Sequence, residues 1–274
     1  MISISDQEFN LIRSVVYEKF GINLSDQKRS LVVGRLQKLL RSHNFLTFKQ
    51  YYDHLVADNT GQTLNELINR ISTNHTFFFR ESAHFDFFRA KALPEIVAIM
   101  KRDNCRDLRI WCAASSSGEE PYGLAMVMLE YFGKEYGMWD AGILATDISA
   151  SALNMAASGV YAAEKLGHVP SALRQRYFIN CENGMQEVAE SVKKEVTFRR
   201  FNLMNERFPF KRPFHIIFCR NVMIYFDQPT RDALVRKFYD HTVPGGYFFI
   251  GHSESIRRGE VPYEYVMPAV YRKN

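Results

Sequence analysis

Apolar positions recur with a helical period through the first 73 residues. Phe9, Leu11, Ile12, Val15, Val16 and Phe20 define a helix over about Ser5–Phe20. Gly21 stops it, and Ser25 is a candidate N-cap for a second helix reaching about Arg41. Thr47 and Thr63 start two shorter helices, and no strand pattern appears in this part. From Ala83 the pattern changes. A helix to about Arg102 leads into the apolar run LRIWCAA, the loop SSSGEEP and a helix over about Tyr122–Phe132. AGILAT follows, closed by Asp147, and a helix begins near Ser149. VTFRRF, FHIIFC, YFFIGH and YEYVMPAVY read as further strands, with a helix over about Pro229–His241 between the second and third. Strands alternating with helices predict a mostly parallel sheet covered on both faces. The last two runs are expected to pair antiparallel at its edge.

The chain thus divides into a small all-α domain (1–73), a linker (74–82) and an α/β domain (83–274), with a small insertion at about 180–200. The polar stretch Asn180–Lys194 marks that insertion. No apolar run approaches the ~20 residues that span a bilayer, and the start lacks the basic and apolar regions of a signal peptide. These features lead us to expect a cytoplasmic protein. The net charge of +5 is too small to imply nucleic acid. Four dispersed cysteines and eight histidines show no metal-ligand spacing, so neither a disulfide framework nor a metal is expected.

Ligands of open α/β sheets bind beyond the carboxyl ends of the strands. Four loops fit: Ser115–Glu120, Asp147, Asn202–Leu203 and Arg220–Tyr225. The first holds Gly118 followed by Glu119 and Glu120, without the G-x-G-x-x-G that admits a pyrophosphate. Two carboxylates would repel a pyrophosphate and attract a sulfonium and an ammonium. That favours S-adenosylmethionine over a nicotinamide dinucleotide. Glu119 is preferred as the ligand; Glu120 is as readily explained by favourable charge in a helix's first turn. Asp147 can accept both hydroxyls of a ribose, because Ser149 is available as the helix cap. Arg220, straight after a buried strand, needs a partner. In STNHTFFFRES, Asn74, Thr76 and Arg80 surround three phenylalanines and can wall a cleft between the domains.

TNHTFFFRE, SSSGEEPY, ATDIS, FCRNVMIYFD and GHSES resemble, in content and order, the CheR family of chemotaxis receptor methyltransferases. The resemblance covers nearly the whole chain. It implies a class I methyltransferase domain with a Rossmann-like sheet behind an all-α domain that recognises the receptor. It maps cofactor contacts to Asn74, Thr76, Arg80, Glu119, Asp147, Asn202, Leu203, Arg220 and Asn221, and the active-site tyrosine to Tyr225. The implied substrates are glutamates on the cytoplasmic helices of methyl-accepting chemotaxis proteins, and the products are methyl esters and S-adenosylhomocysteine. The family's glycine-bearing insertion can grip a receptor tail. With Gly184 alone in a short insertion, no such tether is expected here.

A glutamate with a free pKa of ~4.3 is already ionised at neutral pH and needs no general base. Arg80 and Tyr225 are the candidates for orienting it. The second helix carries Lys28, Arg29, Arg35, Lys38 and Arg41. Periodicity alone reads these as a solvated face; toward an acidic receptor they would dock the substrate. Competing readings are a class I methyltransferase acting on RNA or a small molecule, and a non-catalytic module binding the methyl donor or its product. A monomer without membrane insertion suffices for all of them.

Overall fold

A computed structural model describes residues 2–257, Gly259 and residues 261–274. Four helices build the amino-terminal domain: α1 (Asp6–Phe20), α2 (Arg29–Ser42), α3 (Phe48–Ala57) and α4 (Gln62–Ile71). The cap of α1 is reciprocal. The Ser5 hydroxyl accepts from the Glu8 N–H at 3.2 Å while the Glu8 carboxylate accepts from the Ser5 N–H at 2.9 Å. Gly21 ends the helix with φ 68°, and a Cβ there would stand 2.2 Å from Met204 Sδ in the other domain. Ser25 precedes a single 3₁₀ turn, Asp26–Lys28, and makes no side-chain cap, so α2 starts three residues later than expected. Thr47 caps α3 through the Gln50 N–H. The fourth helix begins just before Thr63, after Gly61. Phe9, Ile12, Val16, Leu36, Tyr51 and Leu67 meet in this domain's core.

After the linker come α5 (Ser82–Phe87), a π-helical turn (Phe88–Ala92) and α6 (Leu93–Arg102). The remaining elements are β1 (Asp107–Ala113), α7 (Glu119–Phe132), β2 (Asp140–Asp147), α8 (Ala150–Ser158), β3 (Val160–Ala162), α9 (Ser171–Tyr177), β4 (Phe178–Asn180), β5 (Met185–Val188), α10 (Glu190–Lys193), β6 (Val196–Arg200), β7 (Phe214–Cys219), α11 (Gln228–Asp240), β8 (Thr242–Ile250), β9 (Tyr263–Met267) and β10 (Val270–Lys273). The main sheet runs β6-β2-β1-β7-β8-β10-β9. Its first five strands are parallel, and β10 runs antiparallel to both of its neighbours, β8 and β9. Both faces of β7 are buried, as its unbroken apolar run requires.

Two expectations are corrected. YEYVMPAVY is not one strand: it folds back at Pro268–Ala269, where Ala269 adopts φ 62°, and β10 enters between β8 and β9. A proline lacks the N–H for a ladder and a positive φ breaks extension, so the run cannot continue. The insertion is also larger than the polar stretch suggested. It starts at Val160 and holds a separate antiparallel sheet, β3-β5-β4, while Val196–Arg200 belongs to the main sheet as β6.

Register fixes where ligands can bind. Ala113 lies opposite Thr146 on one side and Cys219 on the other, and Asp147 lies opposite Arg200. The carboxyl ends of β1, β2, β6 and β7 therefore share one edge. The helical domain is fastened to that edge by an antiparallel bridge between Ile22 and Phe226. Asn202 Nδ2 also donates to the Lys19 carbonyl, and Ser149 Oγ to Asn69 Oδ1, each at 2.8 Å.

Candidate active site

Between the two domains lies a cavity of about 390 Å³. The sheet domain lines it with Ser115, Ser116, Glu120, Asp147, Asn202, Leu203, Arg220, Asn221 and Tyr225. Phe20, Ile22, Leu24, Lys28, Leu31 and Arg35 line it from the helical side, and Asn74, Thr76 and Arg80 from the linker.

Asp147 is 7% exposed and ends β2. Its Oδ2 accepts from the Ser116 N–H and its Oδ1 from the Ser149 N–H, both at 2.8 Å. Burial raises its pKa, against the pull of backbone N–H groups from Ser149, Ser116 and Ile148. The carboxylate thus retains acceptor capacity and has no cationic partner among the described residues. Ser149 caps α8 through the Ala152 N–H, which leaves Asp147 free of that task.

Arg220 is buried, and a network of acceptors explains it. One Nη pairs with the Glu120 carboxylate, while the other donates to Glu81 Oε2 at 2.9 Å and to the Arg80 carbonyl at 2.5 Å. Asn221 follows in the left-handed region at φ 59°, and its Nδ2 donates to Glu81 Oε1 at 3.1 Å. The Asn221 N–H donates to Glu254 Oε2 at 3.0 Å. A Cβ on Gly251 would fall 2.4 Å from Asn221 Nδ2, so the loop after β8 must carry glycine there. Burial alone would raise Glu81, yet Arg220, Asn221 and the His252 N–H outweigh it and hold its pKa at about 2.

The linker arginine is only lightly tied. Arg80 Nη1 donates to the His75 carbonyl at 2.8 Å and lies 5.9 Å from the centre of the Phe77 ring. Tyr225 faces Lys28, whose Nζ is 5.4 Å from the ring centre. Asn202 is spent differently from expectation. Its amide bridges the Lys19 carbonyl and the Met204 N–H, so it ties the domains together at the cavity wall.

Three sequence expectations change. Glu119 does not line the cavity. It is 0% exposed, and its carboxylate accepts from Ser117 Oγ at 2.7 Å and pairs with Lys165 of the insertion at 3.4 Å. Its neighbour Glu120 lines the cavity instead, one step further round the helix. The charge argument for the methyl donor also fails in its original form. Both glutamates have cationic partners, and the lining carries Lys28, Arg35, Arg80 and Arg220 against Glu120 and Asp147. Finally, the basic row on α2 is not one solvated face. Arg29 pairs with Asp6 at 2.6 Å over the Phe9 ring. Arg35 donates to the Ile71 carbonyl, to the Ser72 carbonyl at 3.3 Å and to Thr73 Oγ1 at 2.9 Å, anchoring the end of α4 and the residues that lead into the linker. Lys38 and Arg41 remain exposed. Glu81 and Glu254, which sequence reasoning passed over, hold the arginine loop. Their only signal was their place inside FFFRE and GHSES.

Comparison with known proteins decides the family. Residues 74–271 match the CheR methyltransferase, SAM binding domain, and residues 7–72 match the CheR methyltransferase, all-alpha domain. The chain belongs to the CheR methyltransferase family. Among its relatives is the chemotaxis protein methyltransferase of Borreliella burgdorferi, 44% identical over 273 residues, covering 100% of this chain and 96% of the relative. That of Escherichia coli is 36% identical over 258 residues, covering 93% and 86%. S-adenosylmethionine is thus the cofactor of this CheR protein.

The cavity fits that cofactor on its own evidence. Ribose hydroxyls match the acceptor capacity of Asp147. The Ser115 and Ser116 hydroxyls are buried without a hydrogen-bond partner among the described residues. Phe201, Leu203 and Val222 supply apolar wall for a purine. Among the described residues no helix is long and apolar enough to cross a membrane.

Proposed function

We propose that this protein methylates the side-chain carboxylate of particular glutamates on the cytoplasmic helices of methyl-accepting chemotaxis receptors. The products are glutamate γ-methyl esters and S-adenosylhomocysteine, and the reaction is set in the cytoplasm on a protein acting as a monomer. The observation that carries this reading is one cavity bounded by both domains. Arg80 and Tyr225 line it together with Lys28 and Arg35 at the margin of an apolar helical wall and with the desolvated acceptor Asp147. The relatives' names, chemotaxis protein methyltransferase, support the choice of substrate.

Bound S-adenosylmethionine supplies an electrophilic methyl carbon. Asp147 would hold its ribose, and Asn74, Thr76, Asn202, Leu203 and Asn221 would complete its walls, with Arg220 and Glu120 fixing the floor. The substrate carboxylate arrives ionised, so no side chain has to take a proton. With the cofactor held there, the methyl group would pass to that oxygen and the sulfur would leave as the neutral thioether of S-adenosylhomocysteine, so the protein would have no net charge to absorb. Arg80 and Tyr225 would aim the carboxylate, since a guanidinium fork matches its oxygens. The lining's cations, which do not explain selection of a sulfonium, suit an incoming anion.

Methyl transfer from labelled cofactor to purified receptor cytoplasmic fragments, followed by mass mapping of the ester, tests the reading. Labelled glutamate esters are expected. Label on RNA or a small molecule, or cofactor binding without turnover, would replace this function with another. The reading without a tail tether rests on the short turn Cys181–Gly184 between β4 and β5. Saturable binding of a receptor tail peptide in calorimetry would overturn that part alone.

A further inference from the structure

Behind the arginine network, outside the cavity, Glu81, His84 and His252 converge. One ligand atom from each lies within 4.8 Å of the others. Glu81 precedes α5, His84 is in its first turn, and His252 follows β8.

The His84 imidazole, 0% exposed, faces an acceptor on each side. Its Nε2 is 3.4 Å from the Pro268 carbonyl oxygen, and its Nδ1 is 3.4 Å from Glu81 Oε2. A neutral imidazole has one N–H and one lone pair. With the proton on Nε2, a lone pair on Nδ1 meets a carboxylate; with the proton on Nδ1, a lone pair on Nε2 meets a carbonyl. Nδ1 is enclosed and has no hydrogen-bond partner among the described residues. Two species remove the conflict. One is a doubly protonated ring. The other is a neutral ring that donates from Nε2 to Pro268 and binds a cation at Nδ1. The ring is fully enclosed and the Glu81 carboxylate beside it is already paired with Arg220 at 2.9 Å, so the first species would stand without a counter-ion of its own.

We propose that Glu81, His84 and His252 form a binding site for a divalent transition-metal ion of the zinc class, with His84 ligating through Nδ1. Metal–ligand bonds of ~2.0–2.2 Å in a tetrahedron set ligand atoms ~3.3–3.6 Å apart. Glu81 Oε2 stands 3.4 Å from His84 Nδ1 and 4.0 Å from His252 Nε2. The His252 side chain is 46% exposed, so a small ring movement closes the longer edge. A carbonyl accepting the far N–H of a ligating histidine is the usual outer support. The site's charge is favourable: the single charge of Arg220 faces both Glu81 and Glu120, and the Glu254 carboxylate lies close behind Asn221. Three protein ligands leave a fourth position for water. The ion would clamp the loop after β8 to the start of α5 and hold the carboxylate that Arg220 uses.

The test uses the full chain, stripped with a chelator. It is titrated with Zn²⁺ in calorimetry and with Co²⁺ in visible absorption. One equivalent is expected to bind, with the ligand-field bands of four-coordinate Co²⁺ that Zn²⁺ then displaces. His252→Ala, on the surface, should weaken Zn²⁺ by at least the ~10–100-fold that loss of an outer-shell partner costs. No saturable binding, or equal affinity in His252→Ala, overturns the proposal. Ring-nitrogen NMR of His84 gives a readout independent of any variant. A singly protonated ring whose Nδ1 shifts with Zn²⁺ supports the site. A doubly protonated ring at neutral pH overturns it.

Discussion

The two walls of the cavity are built on opposite principles. On the sheet side the charged groups are buried and their partners are fixed by the backbone. Asp147 holds two N–H groups, and Arg220 holds two carboxylates and a carbonyl. The helical side is apolar at Phe20, Ile22, Leu24 and Leu31, with Lys28 and Arg35 at its margin and Lys38 and Arg41 further along α2 in solvent. A fixed polar wall is what an invariant small cofactor requires, because pre-paid orientation favours reaction. A surface of solvated cations suits a large, variable, acidic partner, since such charges steer encounter more than they hold. Substitutions should therefore differ in kind between the walls: stability and cofactor affinity on one, partner encounter on the other.

The largest effect is expected at Arg220. Removing one member of a buried ion pair strands its partners' charges, which costs about 3–5 kcal/mol. Arg220→Met should lower stability by that order in urea denaturation, because Glu81 and Glu120 are left together. A loss under 1 kcal/mol would mean that this wall is less tightly coupled than its bonds suggest. Mild acid should single out the same domain. Burial, and then Arg109, depress His215 from the ordinary 6.5 to about 4, and His84 behaves alike. Such a group binds its proton more readily when unfolded. Its stabilising contribution is complete above pH 6.5 and is lost as pH falls towards about 4. Glu81 adds a second loss as pH falls from 4.5 towards about 2. Hydrogen exchange at pH 5 should show weakened protection in β7 before α1–α4; the reverse order would contradict this assignment.

At Asp147 the expected change is smaller and falls on binding. Asp147→Asn keeps the shape but replaces a charged acceptor, and hydrogen bonds to charged groups are worth ~1.5–3 kcal/mol. Cofactor affinity in calorimetry should drop ~10–100-fold by the same measure. Arg35→Ala, on the helical side, releases the carbonyls of Ile71 and Ser72. It should loosen the linker, which limited proteolysis near residue 73 would report. Unaltered cleavage would return Arg35 to the docking surface.

How far the sequence revealed this arrangement depends on the range of each interaction. Periodicity located the four helices and the main parallel strands because each buries one face or both, and burial leaves a local mark. Asp147 was legible as a ligand because Ser149, two residues on, could take the cap. Glu119 and Glu120 were misordered because neighbouring helix positions point about 100° apart, and only the finished packing shows which faces Lys165 and which faces Arg220. The strands of the insertion are three or four residues long, too short for a pattern to emerge. His84 and His252 could not be paired from spacing, since the sheet brings them together from its two ends in sequence.

The smallest effect on the fold, and the most specific to partner encounter, belongs to Lys38 and Arg41. Neither is in an ion pair among the described residues, and both are exposed on α2. Surface substitutions of this kind change stability by no more than ~0.5 kcal/mol. Lys38→Glu with Arg41→Glu should leave cofactor affinity and urea midpoint alone. If α2 meets an acidic receptor, the pair of reversals turns attraction into repulsion over a Debye length of ~8 Å at physiological salt. Receptor methylation should then slow markedly at low ionic strength, and the gap from wild type should narrow as salt is added. Reversal of Arg29 would be a poorer probe, because it also breaks the contact with Asp6 and Phe9. Equal rates for the double variant and the parent at low salt would remove this stretch of α2 from the receptor interface. The helical wall would then act on its partner through its apolar residues and Lys28 alone.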